Sequence, residues 1–129
     1  MIVFACVDDR MGMMFNNRRQ SKDSVVINKI FELSNSEPVF SSEYTQKLLN
    51  NGKICDDFST FNGLAFIEKP SDFFEDRIDK IYLFKWNRHY PSDDFFNIEL
   101  SKFNLINTEE FIGNSHEKIT LETYIRKDV

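Results

Sequence analysis

Four basic side chains, Arg10, Arg18, Arg19 and Lys22, fall within thirteen residues of an otherwise acidic chain. Forked guanidinium groups at that density can recognise a phosphate or carboxylate, whether on a nucleotide, on another small anion or on RNA. The same charges can equally stay solvated or pair with Asp8, Asp9 and Asp23, and exposed pairs of that kind contribute little. His89 precedes Asp93 and Asp94 by a few positions. One histidine with two acids lacks the paired His or Cys spacing of a zinc site, so no metal is expected. His116 falls in a predicted turn and Cys6 in an apolar strand, and neither has a triad partner visible along the chain. Tyr82, Phe84 and Trp86 alternate on one strand face and could stack a base or another flat ring, although such a face is more often core.

The elements that must position these groups belong to one domain spanning 1–129, since 129 residues with 41% hydrophobic content suit a single core. With 16 basic against 21 acidic residues the net charge is −5, which disfavours nonspecific nucleic-acid binding. Only 4 Gly and 3 Pro exclude disordered and collagen-like classes. Two cysteines are too few for a disulfide framework and fit a reducing compartment. The opening apolar run, Ile2 to Val7, lacks the flanks of a signal peptide, and nothing approaches the roughly 18 apolar residues of a membrane helix. A cytoplasmic protein without membrane contact is expected.

The continuous run Ile2 to Val7 predicts a strand covered on both faces. Arg10 to Lys22 reads as a long loop. Asp23 to Leu33 carries Val26, Ile27, Ile30 and Phe31 at helical spacing, with Ser21 or Asp23 as cap. Pro38 to Phe40 predicts a strand, Ser42 caps a helix to Leu49, and Lys53 to Asn62 is irregular. Leu64 to Ile67 predicts another buried strand, Asp72 to Arg77 a short helix, and Lys80 to Trp86 an alternating strand. Phe103 to Ile112 and Lys118 to Arg126 form an antiparallel pair around the turn Gly113-Asn114-Ser115. The expected fold class is α/β, a mixed central sheet with flanking helices and a C-terminal antiparallel pair.

The order of these elements resembles dihydrofolate reductase, shortened and divergent, over residues 1–33 and 78–127. The opening strand, Gly12 in Arg10-Met11-Gly12-Met13, and Asp23 in the first helical turn carry the likeness. So do Asp79-Lys80-Ile81-Tyr82-Leu83, Ser92-Asp93-Asp94-Phe95-Phe96, which is similar to a Gly-Asp-Thr-x-Phe-Pro stretch, and the closing Tyr-x-Arg-Lys. The middle third departs from the family. Ser42-Glu43-Tyr44-Thr45 keeps only the Thr of a Gly-Arg-x-Thr signature, and Glu68-Lys69-Pro70 stands where the family has a Gly-Gly pair after a central strand. A carboxylate beside a pyrophosphate is repulsive, and a side chain blocks the close approach that Gly permits.

The resemblance implies Asp23 as the catalytic residue, hydrogen-bonding a pterin-like ring and helping to deliver a proton, which a raised pKa would favour. It implies Gly12, Arg18, Arg19, Phe31 and Phe84 as ligand contacts and Thr45 as the remaining cofactor contact. The leading expectation is a small anionic or heteroaromatic ligand, such as one bearing a folate-like glutamate tail, bound without NADPH-dependent reduction and without a cofactor. One alternative is a small NAD(P)H- or flavin-dependent reductase acting as a homodimer across an exposed sheet edge. Another is RNA binding or processing by the Arg-rich loop. Whether a reaction is catalysed is left open by the residues. The Cys-Val-Asp-Asp opening and Phe-Asn-x-Arg-Arg-Gln-Ser segment also look like a small bacterial family, some of whose members carry the name ribonuclease Z. The dizinc chemistry of that name needs a His-x-His-x-Asp-His cluster, and this chain has two histidines, His89 and His116.

Overall fold

A computed structural model describes residues 1–127. Ten strands and two α-helices follow one another as β1 (Ile2–Val7), β2 (Gly12–Phe15), β3 (Arg18–Arg19), α1 (Ser24–Leu33), β4 (Val39–Ser41), α2 (Glu43–Gln46), β5 (Gly52–Ile54), β6 (Leu64–Phe66), β7 (Lys80–Lys85), β8 (Asp94–Phe95), β9 (Phe103–Phe111) and β10 (Ile119–Arg126). The main sheet has the order β5-β4-β6-β1-β7-β10-β9. Its first five strands are parallel to their neighbours, and β10 and β9 run antiparallel. The expected mixed sheet with a C-terminal antiparallel pair is therefore the observed architecture.

β1 is central because it is apolar on both sides. Val3, Ala5 and Val7 enter one core cluster with Ile81, Leu83 and Ile98, and Phe4 enters the other with Val26, Ile30 and Phe84. Fully burying each such large side chain contributes about 1.5–3 kcal/mol. The alternation along β7 feeds both clusters, so the Tyr82, Phe84, Trp86 face is core, with Phe84 at 0% and Trp86 at 3% exposure.

Four expectations need correction. Arg10 to Lys22 is not a loop throughout, because β2 and β3 form a hairpin that pairs with β8 in a second, three-stranded sheet. Its two-residue turn is Asn16-Asn17, both with positive φ (50° and 59°), the backbone of a type I′ turn, which asparagine tolerates better than most residues. The segment after Asn51 opens with an extra parallel edge strand, β5. The helix capped by Ser42 ends at Gln46 rather than Leu49, and Asp72 to Arg77 is not one helix but parts of two 3₁₀ turns, Pro70–Asp72 and Glu75–Arg77. No helix is long and apolar enough to cross a membrane among the described residues.

Candidate functional site

In an open α/β sheet, ligands lie beyond the carboxyl ends of parallel strands where the chain order switches direction. Here that place is the end of β1, flanked by β6 and β7. A narrow cleft opens there between the β3–α1 segment, α1 and the end of β6, with about 20 Å³ of space inside it, room for about one water molecule. Val26, Ile27, Leu48 and Phe66 form apolar walls, and Arg19, Gln20, Ser21, Lys22, Asp23 and Glu68 bring polar groups.

Asp23 caps α1: its Oδ1 accepts from the Val25 amide at 2.9 Å. The rest of its carboxylate is clasped by the β9–β10 loop. Asn114 N donates to Oδ1 at 2.8 Å, and Ser115 N donates to Oδ2 at 2.9 Å. His116 Nδ1 lies 2.8 Å from the same Oδ2. This loop folds back because Gly113 N bonds His116 O at 2.9 Å. A Cβ on Gly113 would stand 2.5 Å from Asp23 Oδ2, so only glycine permits the approach. Burial pushes the Asp23 pKa up, but the donors from Asn114, His116, Ser115 and Val25 outweigh it and hold the carboxyl well below the usual carboxylate range. The group is thus a fixed anion, and its direction of shift is opposite to that of a proton donor.

His116 is 3% exposed and stacks on Trp86 with ring centroids 4.5 Å apart. Its Nε2 faces two hydroxyls, Ser21 Oγ at 3.0 Å and Tyr90 OH at 2.9 Å. No triad partner was visible along the chain for this histidine; the fold supplies both a carboxylate and a hydroxyl.

Across the cleft, Arg19 makes a forked pair with Glu68 at 2.8 and 2.9 Å. Thr45 Oγ1 donates to Glu68 Oε1 at 2.6 Å, and the guanidinium lies 4.2 Å from the Tyr44 ring centroid. Gln20 donates through Nε2 to Asp8 Oδ2 at 3.2 Å and to Pro91 O at 3.1 Å. Its Oε1 is buried with no hydrogen-bond partner among the described residues.

Of the residues singled out from the sequence, Asp23 and Arg19 line the cleft and Thr45 reaches it through Glu68. Gly12 lies at the start of β2, donating to Asp8 Oδ1 at 2.7 Å, with the Ser92 side chain where a Cβ would go. Arg18 is exposed at the end of the hairpin, Phe31 is 36% exposed on α1, and Phe84 packs edge-on against Phe111 in the core. Ser21, His116, Tyr90, Glu68 and Gln20 complete the site. The sequence signals were Ser21 as an alternative cap and the Gly-Asn-Ser turn before His116. Among the described residues, no cluster of His, Cys, Asp or Glu could hold a metal ion, His89 with Asp93 and Asp94 included.

Sheet order, the switch-point cleft and an acid at the start of α1 together define a dihydrofolate reductase-like fold. The structure is similar to dihydrofolate reductase from Enterococcus faecalis, complexed with NADP(H) and RAB-propyl, with a TM-score of 0.74 and 14% identity, covering 98% of this chain and 96% of that one. At that identity the likeness shows the fold alone. No protein-family model and no curated protein matches the sequence.

Proposed function

We propose that this chain binds a small heteroaromatic or anionic ligand in the cleft between the β3–α1 segment and β6, without dinucleotide-dependent reduction. The buried, unpartnered Gln20 Oε1 carries the reading. An unmet buried acceptor costs roughly 1–3 kcal/mol, which a ligand N–H would restore. Val26, Ile27 and Phe66 offer apolar contacts at the cleft, and Lys22 offers charge to an anionic substituent.

The residues present do not suit a nicotinamide dinucleotide held in the manner of the resembled family. Glu68, where that family has glycine, turns its carboxylate to Thr45 and Arg19. A pyrophosphate brought to Thr45 would meet that anion and compete for the guanidinium.

Amide shifts followed by NMR during separate titrations with dihydrofolate and NADPH test this. Saturable shifts at Arg19, Gln20 and Phe66 with dihydrofolate, and none with NADPH, are expected. NADPH oxidation in the presence of dihydrofolate, abolished by Asp23→Asn, would overturn the reading.

One feature favours a second reading, a homodimeric reductase whose partner completes a nicotinamide or flavin site. β9 is a nine-residue edge strand with Leu105 and Ile106 about half exposed. A monomer in sedimentation equilibrium, with no nicotinamide or flavin binding, removes it.

A further inference from the structure

Arg19 and Glu68 stand where three hollows meet. Arg19 lines the narrow cleft and also an open groove of about 450 Å³ beside Phe15, Tyr90 and Pro91. Glu68 lines the cleft and a second open hollow of about 390 Å³, bounded by Met14, Tyr44, Thr45 and Lys69. Their forked pair, at 2.8 and 2.9 Å, is therefore the wall between a space for one water and two spaces with room for a ring and its substituent.

That wall is lightly held. Arg19 belongs to β3, which is two residues long and pairs only with β2. Its polar side-chain contacts run to two residues, Glu68 through the fork and Tyr44 through its carbonyl oxygen, which accepts from Nη2 at 3.3 Å. The Tyr44 hydroxyl accepts from the Arg19 amide at 3.2 Å. Water reaches both members of the pair, which are 18% and 10% exposed. Beside them Gln20 Oε1 is buried without a partner among the described residues, so the closed arrangement leaves an acceptor unmet.

We propose that the Arg19–Glu68 pair is a latch that seals the cleft, and that a ligand bringing its own carboxylate or phosphate takes Arg19 from Glu68 and joins the cleft to the hollows on either side. The proposal rests on the reading of the cleft as a small-ligand site and names the group such a ligand must carry. The exchange is like for like. A guanidinium fork gives the same two N–H donors to either oxyanion, so no donor is stranded when the partner changes. The incoming anion arrives from the Phe15 groove, which neither Thr45 nor Glu68 lines. Glu68, once released, keeps the Thr45 hydroxyl at 2.6 Å and faces a hollow that also holds Lys69. A tethered carboxylate competes at high effective concentration, so binding is weak while Glu68 is present and tightens when it is removed.

Cys6 on the cleft wall reports opening. In a Cys55→Ser chain it is the one thiol, and N-ethylmaleimide is too large for a space of about 20 Å³. Labelling of the folded chain should be far slower than of the urea-unfolded chain. Adding Arg19→Ala should speed it by at least about tenfold more than the rise in unfolding constant measured on the same variant by urea denaturation. Burial and Glu68 push the Cys6 pKa up and Arg19 pulls it down, so losing the guanidinium leaves less thiolate, and only access can accelerate the reaction. Benzoate, one ring with one carboxylate, tests the exchange through amide shifts at Gln20 and Thr45, followed by NMR at constant ionic strength. It should bind Glu68→Gln about tenfold more tightly than the parent chain, and Arg19→Ala should not bind it. The latch is overturned if Arg19→Ala labels no faster than its unfolding accounts for, or if Glu68→Gln binds benzoate no more tightly than the parent. Equal benzoate binding in all three chains overturns the latch and leaves the cleft reading standing, whereas no shift in any chain, with no excess labelling, overturns both.

Discussion

Asp23 and His116 meet at 2.8 Å across 93 positions of sequence, with side chains almost fully withdrawn from solvent. The contact joins the first turn of α1 to the β9–β10 loop. Removing one member of a buried, hydrogen-bonded charge set leaves the other donors unpaired. Asp23→Asn is expected to lower the unfolding free energy by about 3 kcal/mol, read from urea denaturation.

The same carboxyl gives a pH signature. Its folded-state pKa lies below the unfolded value of about 3.9, so the unfolded chain binds the extra proton first. The stabilisation is fully present above that value and is lost as the pH falls from about 4 through the folded-state pKa. Melting temperature should therefore drop in that acid window for the parent chain and more weakly for Asp23→Asn. Equal acid dependence in both would contradict the assignment.

The imidazole carries a spectroscopic marker. With Nδ1 facing a carboxylate, nitrogen chemical shifts of neutral His116 should report the Nδ1–H tautomer. Asp23→Asn replaces part of the acceptor with an amide donor, and a mixture of tautomers is expected even where the variant stays folded.

Gly113 is the backbone device that lets the loop close. A methyl group there would sit 2.5 Å from Asp23 Oδ2 and 2.7 Å from Ile119 Cδ1. Gly113→Ala should destabilise by about 1–3 kcal/mol through this overpacking. It should also shift the Asn114 and Ser115 amide resonances, which report the clasp.

Arg19 and Glu68 brace the cleft with side chains 18% and 10% exposed. Arg19→Ala strands Glu68 beside Thr45 and should cost about 1–3 kcal/mol in urea denaturation. Glu68→Gln keeps an acceptor for Thr45 and should cost less. The reverse ranking would mean the carboxylate is better off without its partner.

Much of the scaffold was legible along the chain. Ile2 to Val7 reads as a buried strand because six successive residues carry no charge, and Asp23 to Leu33 reads as a helix because Val26 and Ile30 fall one turn apart behind a capping acid. β3 and β5 were not legible. Strands of two and three residues have too few positions for an alternation to register, and they exist because β2 and β4 offer them hydrogen bonds. α2 stopped early because the next amides bond three residues back, Leu48 N to Thr45 O and Leu49 N to Gln46 O, so tight turns replace the helix before β5 begins at Gly52.

The site divides along the same line. Local pattern already placed Asp23 at the start of a helix and Arg19 in a basic segment beside it, since capping and charge density act over a few residues. Which groups those side chains face was settled by strand order. β10 lies beside β7, and the loop that joins it to β9 carries His116 onto Asp23. β6 lies beside β1, and Glu68 just beyond its end meets Arg19. Hydrogen bonds and ion pairs fall off within a few ångströms. Partners remote in sequence become partners only when sheet pairing and core packing close that distance.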